Sequence, residues 1–451
     1  MAPTRRRRTR SSPPAPTPRP ALLLAALIVL ALGFGATLAL AVTGTTWAQI
    51  QSPGGAWIFF GSLTGLAGTY LALVMVLLVS RVPAVERVLG QDGLLHWHRT
   101  LAPWPISLIV AHVVFLTVGY AQAAKTGSWH EFGVLTRTFP DVLPATVGFF
   151  MMLAVAVVSI RAIRRRIPRE RWWALHLLMY LALGISFAHV IVLGPSFVGH
   201  PLTQLVWSAF WLATAGLVLI YRVGLPVVRS MRHRLQVVEV REEAPGVVTV
   251  ICRGRHLERL AVSGGQFFEW RFLTPGMWWQ AHPFSLSALP RPPHLRITVK
   301  VVGDFTARVA TLRPGTRIAI EGPYGAFTSH HRDRQKAALI AGGVGVTAVR
   351  SLLEDLPRGC DPVVVLRASR REDLVLNEEV AELARQRKGR VYELVGPRSE
   401  VDLRSLIDLV PDLRQRDVFV AGPEQFVHDV CTTLEHLGVP QDATHAEVYS
   451  F

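Results

Sequence analysis

The feature that most restricts this chain is a series of long apolar runs in its first half. Residues 21–43 contain no charged side chain, and five further apolar runs follow at roughly 56–80, 97–121, 143–163, 173–193 and 202–222. Inside a bilayer no water is present to satisfy a bare backbone. A crossing segment therefore closes its own hydrogen bonds as a helix of about 20 residues, enough for about 30 Å of hydrocarbon. Each run meets that length, so six membrane-spanning helices are expected. The first run exceeds the apolar core of a signal peptide, which is about 7–15 residues long. Ala39-Leu40-Ala41 nevertheless has the small-residue form of a cleavage site, and removal of the first span stays an alternative.

Lys+Arg outnumber Asp+Glu by 48 to 32. A basic balance of this kind suits nucleic-acid binding or a membrane protein, and the placement of the arginines decides between them. Arg5–Arg8 precede the first run, and Arg81 and Arg87 lie between the second and third. Arg161, Arg164, Arg165, Arg166, Arg169 and Arg171 lie between the fourth and fifth, and Arg222, Arg229, Arg232 and Arg234 follow the sixth. The alternate loops, 44–55, 122–142 and 194–201, carry only Lys125 and Arg137. Lys and Arg concentrate in cytoplasmic loops. The chain is thus expected to be multi-pass in the cell (cytoplasmic) membrane, with both termini in the cytoplasm. Its partner is then lipid and not nucleic acid. Residues 1–20, rich in Arg, Pro and Ser, read as a disordered basic tail. With 18% charged and 50% apolar residues, the chain is neither disordered nor one soluble core.

Beyond about residue 234 the texture changes. Short β-rich runs at 247–252, 295–302 and 317–322, punctuated by Gly and Pro, predict an antiparallel barrel. From about 335, strands at 337–341, 362–367, 390–395 and 417–421 alternate with amphipathic stretches such as 378–387 and 425–437. That is a βαβ pattern and a parallel sheet. The expected organisation is a tail at 1–20, a transmembrane domain at 21–225, a barrel at 233–330 and an α/β domain at 335–451. Cys252, Cys360 and Cys431 are odd in number and far apart, which argues against a disulfide framework and an iron–sulfur cluster.

Ionisable residues inside spans are costly and usually functional. The third run and its approach carry His96, His98 and His112, and the fifth carries His176 and His189. Neutral imidazole is a common iron ligand. His98 and His112 differ by about 21 Å in height and fall about 40° short of four full turns, so both face one partner helix. His96 lies about 160° from the His112 face. His176 and His189 are about 140° from a common face, which calls for a tightening or bend, with Gly184 as its candidate. The two helices cross in the same direction. His98 is therefore expected opposite His176 on the cytoplasmic side, and His112 opposite His189 on the outer side.

This arrangement resembles the ferric reductase and NADPH oxidase transmembrane superfamily, and the likeness extends over roughly residues 56–451. In that family, paired histidines on two helices hold two b-type haems. The resemblance implies His98 and His176 as ligands of an inner haem iron, and His112 and His189 of an outer one. His282-Pro283-Phe284-Ser285 is similar to the family's flavin motif, whose backbone and hydroxyl contact the isoalloxazine of FAD. Gly303-Asp304-Phe305-Thr306 is similar to its GDWT segment, with Phe for Trp, and implies that Gly303 and Thr306 help hold the FAD pyrophosphate. Glu321-Gly322-Pro323-Tyr324-Gly325 is similar to the turn that closes the barrel.

The segment AGGVGVTAVRSLL, from Ala341, follows a strand and opens a helix. Gly342, Gly343 and Gly345 permit a tight turn and close approach of phosphate, and the helix N-terminus adds N–H donors. Thr347 stands where the family has Thr followed by Pro; here Ala348 follows. Gly422 and Pro423 match the family's Cys-Gly-Pro near the nicotinamide, with Ala421 in place of Cys. Phe451 suits the aromatic that covers the flavin in ferredoxin-reductase-like proteins. Arg367, Ser369 and Arg371 follow the second strand of the sheet, where they can grip a 2′-phosphate, favouring NADPH over NADH.

The implied activity is transmembrane electron transfer from cytosolic NAD(P)H through FAD and two b-type haems, without an iron–sulfur cluster. The acceptor outside is a small molecule or metal chelate: O₂, giving superoxide, or ferric iron and its chelates. The loop 122–142, with Lys125, His130, Arg137 and Asp141, reads as an ordinary solvated loop; steering an anion or binding a metal is its alternative role. A reading from another class is a haem-free membrane scaffold or transporter with a tethered flavin-reductase domain.

Overall fold

The computed structural model describes residues 20–194, 196–397 and 406–449. The chain forms two compact units that divide between Val223 and Gly224.

The first unit is helical. Its main elements are α1 (Pro20–Thr43), α2 (Gly55–Leu78), α3 (Pro83–Leu101), α4 (Pro103–Ala124), α5 (Ser128–Thr138), α6 (Val142–Ser159), α7 (Arg169–Val192) and α8 (Pro201–Val218). Six helical stretches among the described residues are long and apolar enough to cross a membrane, so this is a multi-pass membrane protein. The third of them, Gly93–Ala124, joins the end of α3 to α4. Sequence reasoning made it one continuous helix. The structure divides it at Ala102, because Pro103 and Pro105 bring no N–H to the ladder. Ala102 itself stays right-handed helical, and its N–H still reaches the His98 carbonyl at 3.1 Å.

α2 and α4 pack closely because α2 presents glycines at small-residue spacing. A Cβ at Gly61 would lie 2.6 Å from the Leu116 side chain, and one at Gly65 would lie 2.4 Å from His112 Nδ1. The segment read as a solvated loop at 122–142 instead contains α5. Its mixed polarity hid one apolar face, formed by Phe132 and Leu135.

The second unit holds two sheets. The antiparallel sheet has six strands: β1 (Leu235–Ala244), β2 (Val247–Arg253), β3 (Phe267–Phe272), β4 (His282–Ser285), β5 (His294–Lys300) and β6 (Arg317–Tyr324). Their order is β4-β3-β6-β1-β2-β5, and a bridge between Leu286 and Ile297 brings the two ends together as a barrel. Inside it, Val248, Val250 and Cys252 meet Val299, Ile297 and Leu295 across the β2–β5 pair.

The parallel sheet has β7 (Ala337–Gly342), β8 (Val363–Ala368), β9 (Arg390–Val395), β10 (Asp417–Pro423) and β11 (Thr444–Tyr449), in the order β11-β10-β7-β8-β9. Every residue of β7 is buried, as a central strand covered on both faces requires. The helix Val346–Asp355 follows β7, Asn377–Gln386 follows β8, and Glu424–His436 follows β10. Sequence patterning identified β2, β5 to β10 and all three of these helices. It missed β1, whose charges dilute the apolar signal, and also β3, β4 and β11.

The N-terminal end of the parallel sheet, opposite the Gly-rich turn, is held by ions. Arg416 is fully buried and donates to Asp412 at 2.7 and 2.9 Å and to Asp361 at 2.8 Å. Arg416, and then Lys336, hold the Asp412 carboxyl down to about 2. A carboxyl depressed in the folded state stabilises above its unfolded value of about 4, and that contribution fades as the pH falls towards the folded value. We expect Asp412→Asn to cost about 1–2 kcal/mol at pH 7, allowing for partial exposure of the carboxylate. Thermal unfolding of the variant should also depend less on pH between 5 and 2 than that of the unmodified chain.

Candidate functional site

The four intramembrane histidines meet in two pairs. The rings of His98 on α3 and His176 on α7 lie 6.2 Å apart, centre to centre, at 74°. Those of His112 on α4 and His189 on α7 lie 6.1 Å apart at 68°. Two metal–nitrogen bonds of about 2 Å, with about 1 Å from each nitrogen to its ring centre, span about 6 Å, so each pair is spaced to grip one metal from opposite sides. α7 runs unbroken through Gly184, and the tightening expected there is not needed. His96 is exposed.

The remaining ring nitrogens select the tautomer. His112 Nδ1 donates to the Gly61 carbonyl at 2.7 Å, and His98 Nδ1 to the Met75 carbonyl at 3.3 Å. With the proton held on Nδ1, the Nε2 lone pair is left for a metal. Among the described residues no group of three or more His, Cys, Asp or Glu side chains gathers to hold an ion. A bare metal would therefore lack ligands, whereas a haem brings its own equatorial four.

Between His112 and His189 lies a cavity of about 490 Å³, within the usual range for cofactor pockets of about 300–1,000 Å³. No charged residue lines it, and α5 contributes Phe132, Leu135 and Thr136 to its wall. Three buried polar atoms on that wall, Thr136 Oγ1, His189 Nδ1 and Trp211 Nε1, have no hydrogen-bond partner among the described residues. Room, a facing pair of imidazoles and unspent polar atoms together fit a haem.

In the second unit, Ser285 closes β4 and is buried. Its hydroxyl donates to Glu447 Oε1 at 3.1 Å and accepts from the Tyr449 hydroxyl at 3.0 Å. The Tyr449 hydroxyl also lies 3.2 Å from Thr347 Oγ1. The flavin motif, the nucleotide turn and the last strand thus meet at one point. Burial first, and then Glu447, push the Tyr449 phenol well above its ordinary range, so it stays neutral and able to donate. Sequence reasoning missed Glu447 and Tyr449, and the signal available was the alternation of β11. Phe451 lies outside the described residues.

Around this junction, Pro283 and Phe284 pair with β3, and the His282 ring stacks on Phe305 at 3.7 Å. The Thr306 hydroxyl accepts from the N–H groups of Val302 at 2.9 Å and Gly303 at 3.1 Å, closing its own turn.

At the nucleotide turn, Gly342 ends β7 and Gly343 adopts φ +53, a left-handed conformation that favours glycine. A Cβ at Gly345 would lie 2.2 Å from the Ala421 carbonyl, and one at Gly422 would lie 2.8 Å from the Phe426 ring. These glycines, with Pro423 beside them, keep the turn close against β10. Arg367 spends its guanidinium on carbonyls, among them Leu394 at 3.3 Å and Gly396 at 2.6 Å. Ser369 is exposed, and Arg371 is 85% exposed and 3.7 Å from Glu393. Arg371 is therefore the freer of the two guanidiniums. The thiols take no part: burial pushes Cys252 up to about 12, and burial with Glu435 pushes Cys431 up to about 11.

Three family models match in chain order: the ferric reductase-like transmembrane component over 64–187, an FAD-binding domain over 247–328 and the oxidoreductase NAD-binding domain over 339–432. The chain is a ferric reductase-like transmembrane protein with FAD- and NAD-binding oxidoreductase domains. Its domains are those of an NAD(P)H-dependent oxidoreductase of the NADPH oxidase and ferric reductase type. Rat dual oxidase 1 (Rattus norvegicus) is 25% identical over 306 residues, which is 60% of this chain and 18% of that protein. The reductase subunit of stachydrine N-demethylase from Rhizobium meliloti (strain 1021) is 30% identical over 226 residues, 46% of this chain and 64% of the subunit. The chain spans less than a fifth of the length of the dual oxidase. Among solved structures, the Amycolatopsis cytochrome P450 reductase is 18% identical with a TM-score of 0.42, covering 48% of this chain and 69% of that one.

Removing the Ser285 hydroxyl takes one bond each from Glu447 and Tyr449, while Tyr449 keeps its contact with Thr347. We expect Ser285→Ala to weaken FAD binding roughly fivefold, about 1 kcal/mol, with unchanged thermal unfolding of the apoprotein. Flavin-fluorescence titration measures the first. A parallel loss of stability would count against a flavin role for the hydroxyl.

Proposed function

We propose that the chain carries electrons from NAD(P)H in the cytoplasm, through FAD and two b-type haems, to an acceptor on the far side of the cell membrane. The candidate acceptors are dioxygen, giving superoxide, and ferric iron with its chelates. The two imidazole pairs carry this reading, because each is spaced for one metal and both join the same two apolar spans, Gly93–Ala124 and Arg169–Val192. When bound, the nicotinamide supplies a hydride, the flavin releases electrons singly, and each haem carries one.

The chain's own residues do the rest. His98 and His176 hold the inner haem, and His112 and His189 the outer. The carbonyls of Met75 and Gly61 keep Nε2 of His98 and His112 unprotonated. With two imidazoles to each metal, the irons of bound haems would have no coordination place left for a substrate. Pro283, Phe284 and Ser285 orient the isoalloxazine, Gly303 and Thr306 shape the turn for the pyrophosphate, and Phe451 covers the flavin. Gly342, Gly343 and Gly345, with Gly422 and Pro423 alongside, let a phosphate approach the backbone N–H groups at the start of the following helix. Arg371, with Ser369 and Arg367, favours the 2′-phosphate of NADPH. The Arg-rich loops 161–171 and 222–234 support a cytoplasmic position for both termini.

Pyridine-haemochrome analysis should give two haems per chain, and one would sink the two-site reading. His112→Ala or His189→Ala should remove the outer haem. NAD(P)H would still reduce the flavin and inner haem, while reduction of an outside acceptor falls sharply in separate superoxide and ferric assays. His98→Ala or His176→Ala should stop transfer one step earlier.

The nucleotide reading is tested by kinetics. Arg371→Ala should raise KM for NADPH far more than for NADH. An equal rise for both would remove the 2′-phosphate assignment.

A further inference from the structure

The four haem-site histidines are supported unequally. His98 and His112 each give their Nδ1 proton to a backbone carbonyl. His189 Nδ1 is buried without a partner among the described residues. His176 has a side-chain device of its own. Its Nδ1 faces Ser159 Oγ at 3.5 Å, and its ring lies against the Trp172 indole at 4.9 Å and 25°, a stacked arrangement. Trp172 Nε1 donates to the same Ser159 oxygen at 3.3 Å. A hydroxyl oxygen has two lone pairs, so Ser159 can accept from Trp172 and His176 together. Trp172 is in turn flanked by Arg164, whose guanidinium carbon lies 4.3 Å from the ring centre.

The local sequence explains why these groups meet. Trp172 precedes His176 by four residues on α7, so the two share one face of the helix. Pro168 starts α7 and puts Trp172 in its first turn, while Ser159 ends α6 just before the Arg161–Arg164 turn. The Ser–Trp pair therefore restrains the tilt of the His176 ring and offers its Nδ1 an acceptor.

Resting on the haem reading above, we infer that Ser159 and Trp172 are positioning residues for His176. Through it they set the reduction potential of the inner haem independently of the outer one. An acceptor for Nδ1–H makes the imidazole more basic, and a more basic ligand favours the oxidised iron. Among the described residues the inner pair faces an acceptor at both Nδ1 atoms, and the outer pair only at His112. The inner haem is then the more reducing of the two, which makes electron flow from cytoplasm to outside downhill. Arg164 acts on Trp172 by packing; its charge is part-exposed and screened.

The test is a redox titration of the full-length chain in lipid nanodiscs, with the inner wave assigned by its loss in His98→Ala. Ser159→Ala should move the inner wave to more positive potential and leave the outer wave in place, and Ser159→Thr should restore it. Trp172→Leu should lower retention of the inner haem by about 10–100-fold and alter its low-spin EPR signal, with the outer haem unchanged. An inner wave unmoved by both Ser159→Ala and Trp172→Leu overturns the inference, as does an equal shift of both waves. Fewer than two haems in the unmodified chain would instead overturn the haem reading beneath it.

Discussion

An imidazole placed inside a membrane bundle must find partners for two nitrogens, since no bulk water is there to take them. That constraint organises the first unit. In His98 and His112 one nitrogen is spent on a helix carbonyl, which leaves the other directed at a common centre with a histidine of α7. The same requirement explains the glycines of α2. Gly61 offers its carbonyl to His112, and Gly65 leaves the space in which the ring stands, because any Cβ there would collide with it. Close helix packing and ligand orientation are thus one feature with two consequences.

The second unit is held by a different kind of interaction. A charge network ties the barrel to the helices of the nucleotide sheet. Arg296 grips Glu379 with two bonds of 2.7 and 2.8 Å, Arg350 bridges Glu379 and Glu354, and Glu354 also takes Arg291 at 2.6 Å. Burial works against the charge on Glu354, yet the Leu289 N–H and the Arg291 and Arg350 guanidiniums hold its carboxyl below the ordinary range. Gly264 and Gly265 add backbone bonds to Asp355 at 3.1 Å and Ser351 at 3.0 Å. This clamp brings Ser285 within hydrogen-bond reach of β11, which the sheet itself sets beside Thr347. The hydroxyl junction is therefore a product of the clamp and not of any one motif.

Much of this was legible in the linear sequence because its signals are local. Runs of about 20 apolar residues announce spans, and periods of two or of 3.6 announce strands and helices. The histidine pairing was also legible, since a helix converts sequence spacing into angle and height. The Gly-rich turn stood between a recognisable strand and helix, and the structure places it there.

What only the tertiary structure decided is what each of these groups rests against. The carbonyls that orient His98 and His112 lie 23 and 51 residues away in the chain, and any residue type offers a carbonyl, so no side-chain pattern marks them. Ser159 reaches Trp172 and His176 because the turn between α6 and α7 folds one helix end onto the next. Glu447 and Tyr449 reach Ser285 across 162 and 164 residues because a parallel strand order puts β11 at the edge nearest the barrel. Sequence periodicity specifies which face of an element is apolar or ligand-bearing. Which partner that face meets depends on packing between elements distant in the chain, and that information exists only once the chain has folded.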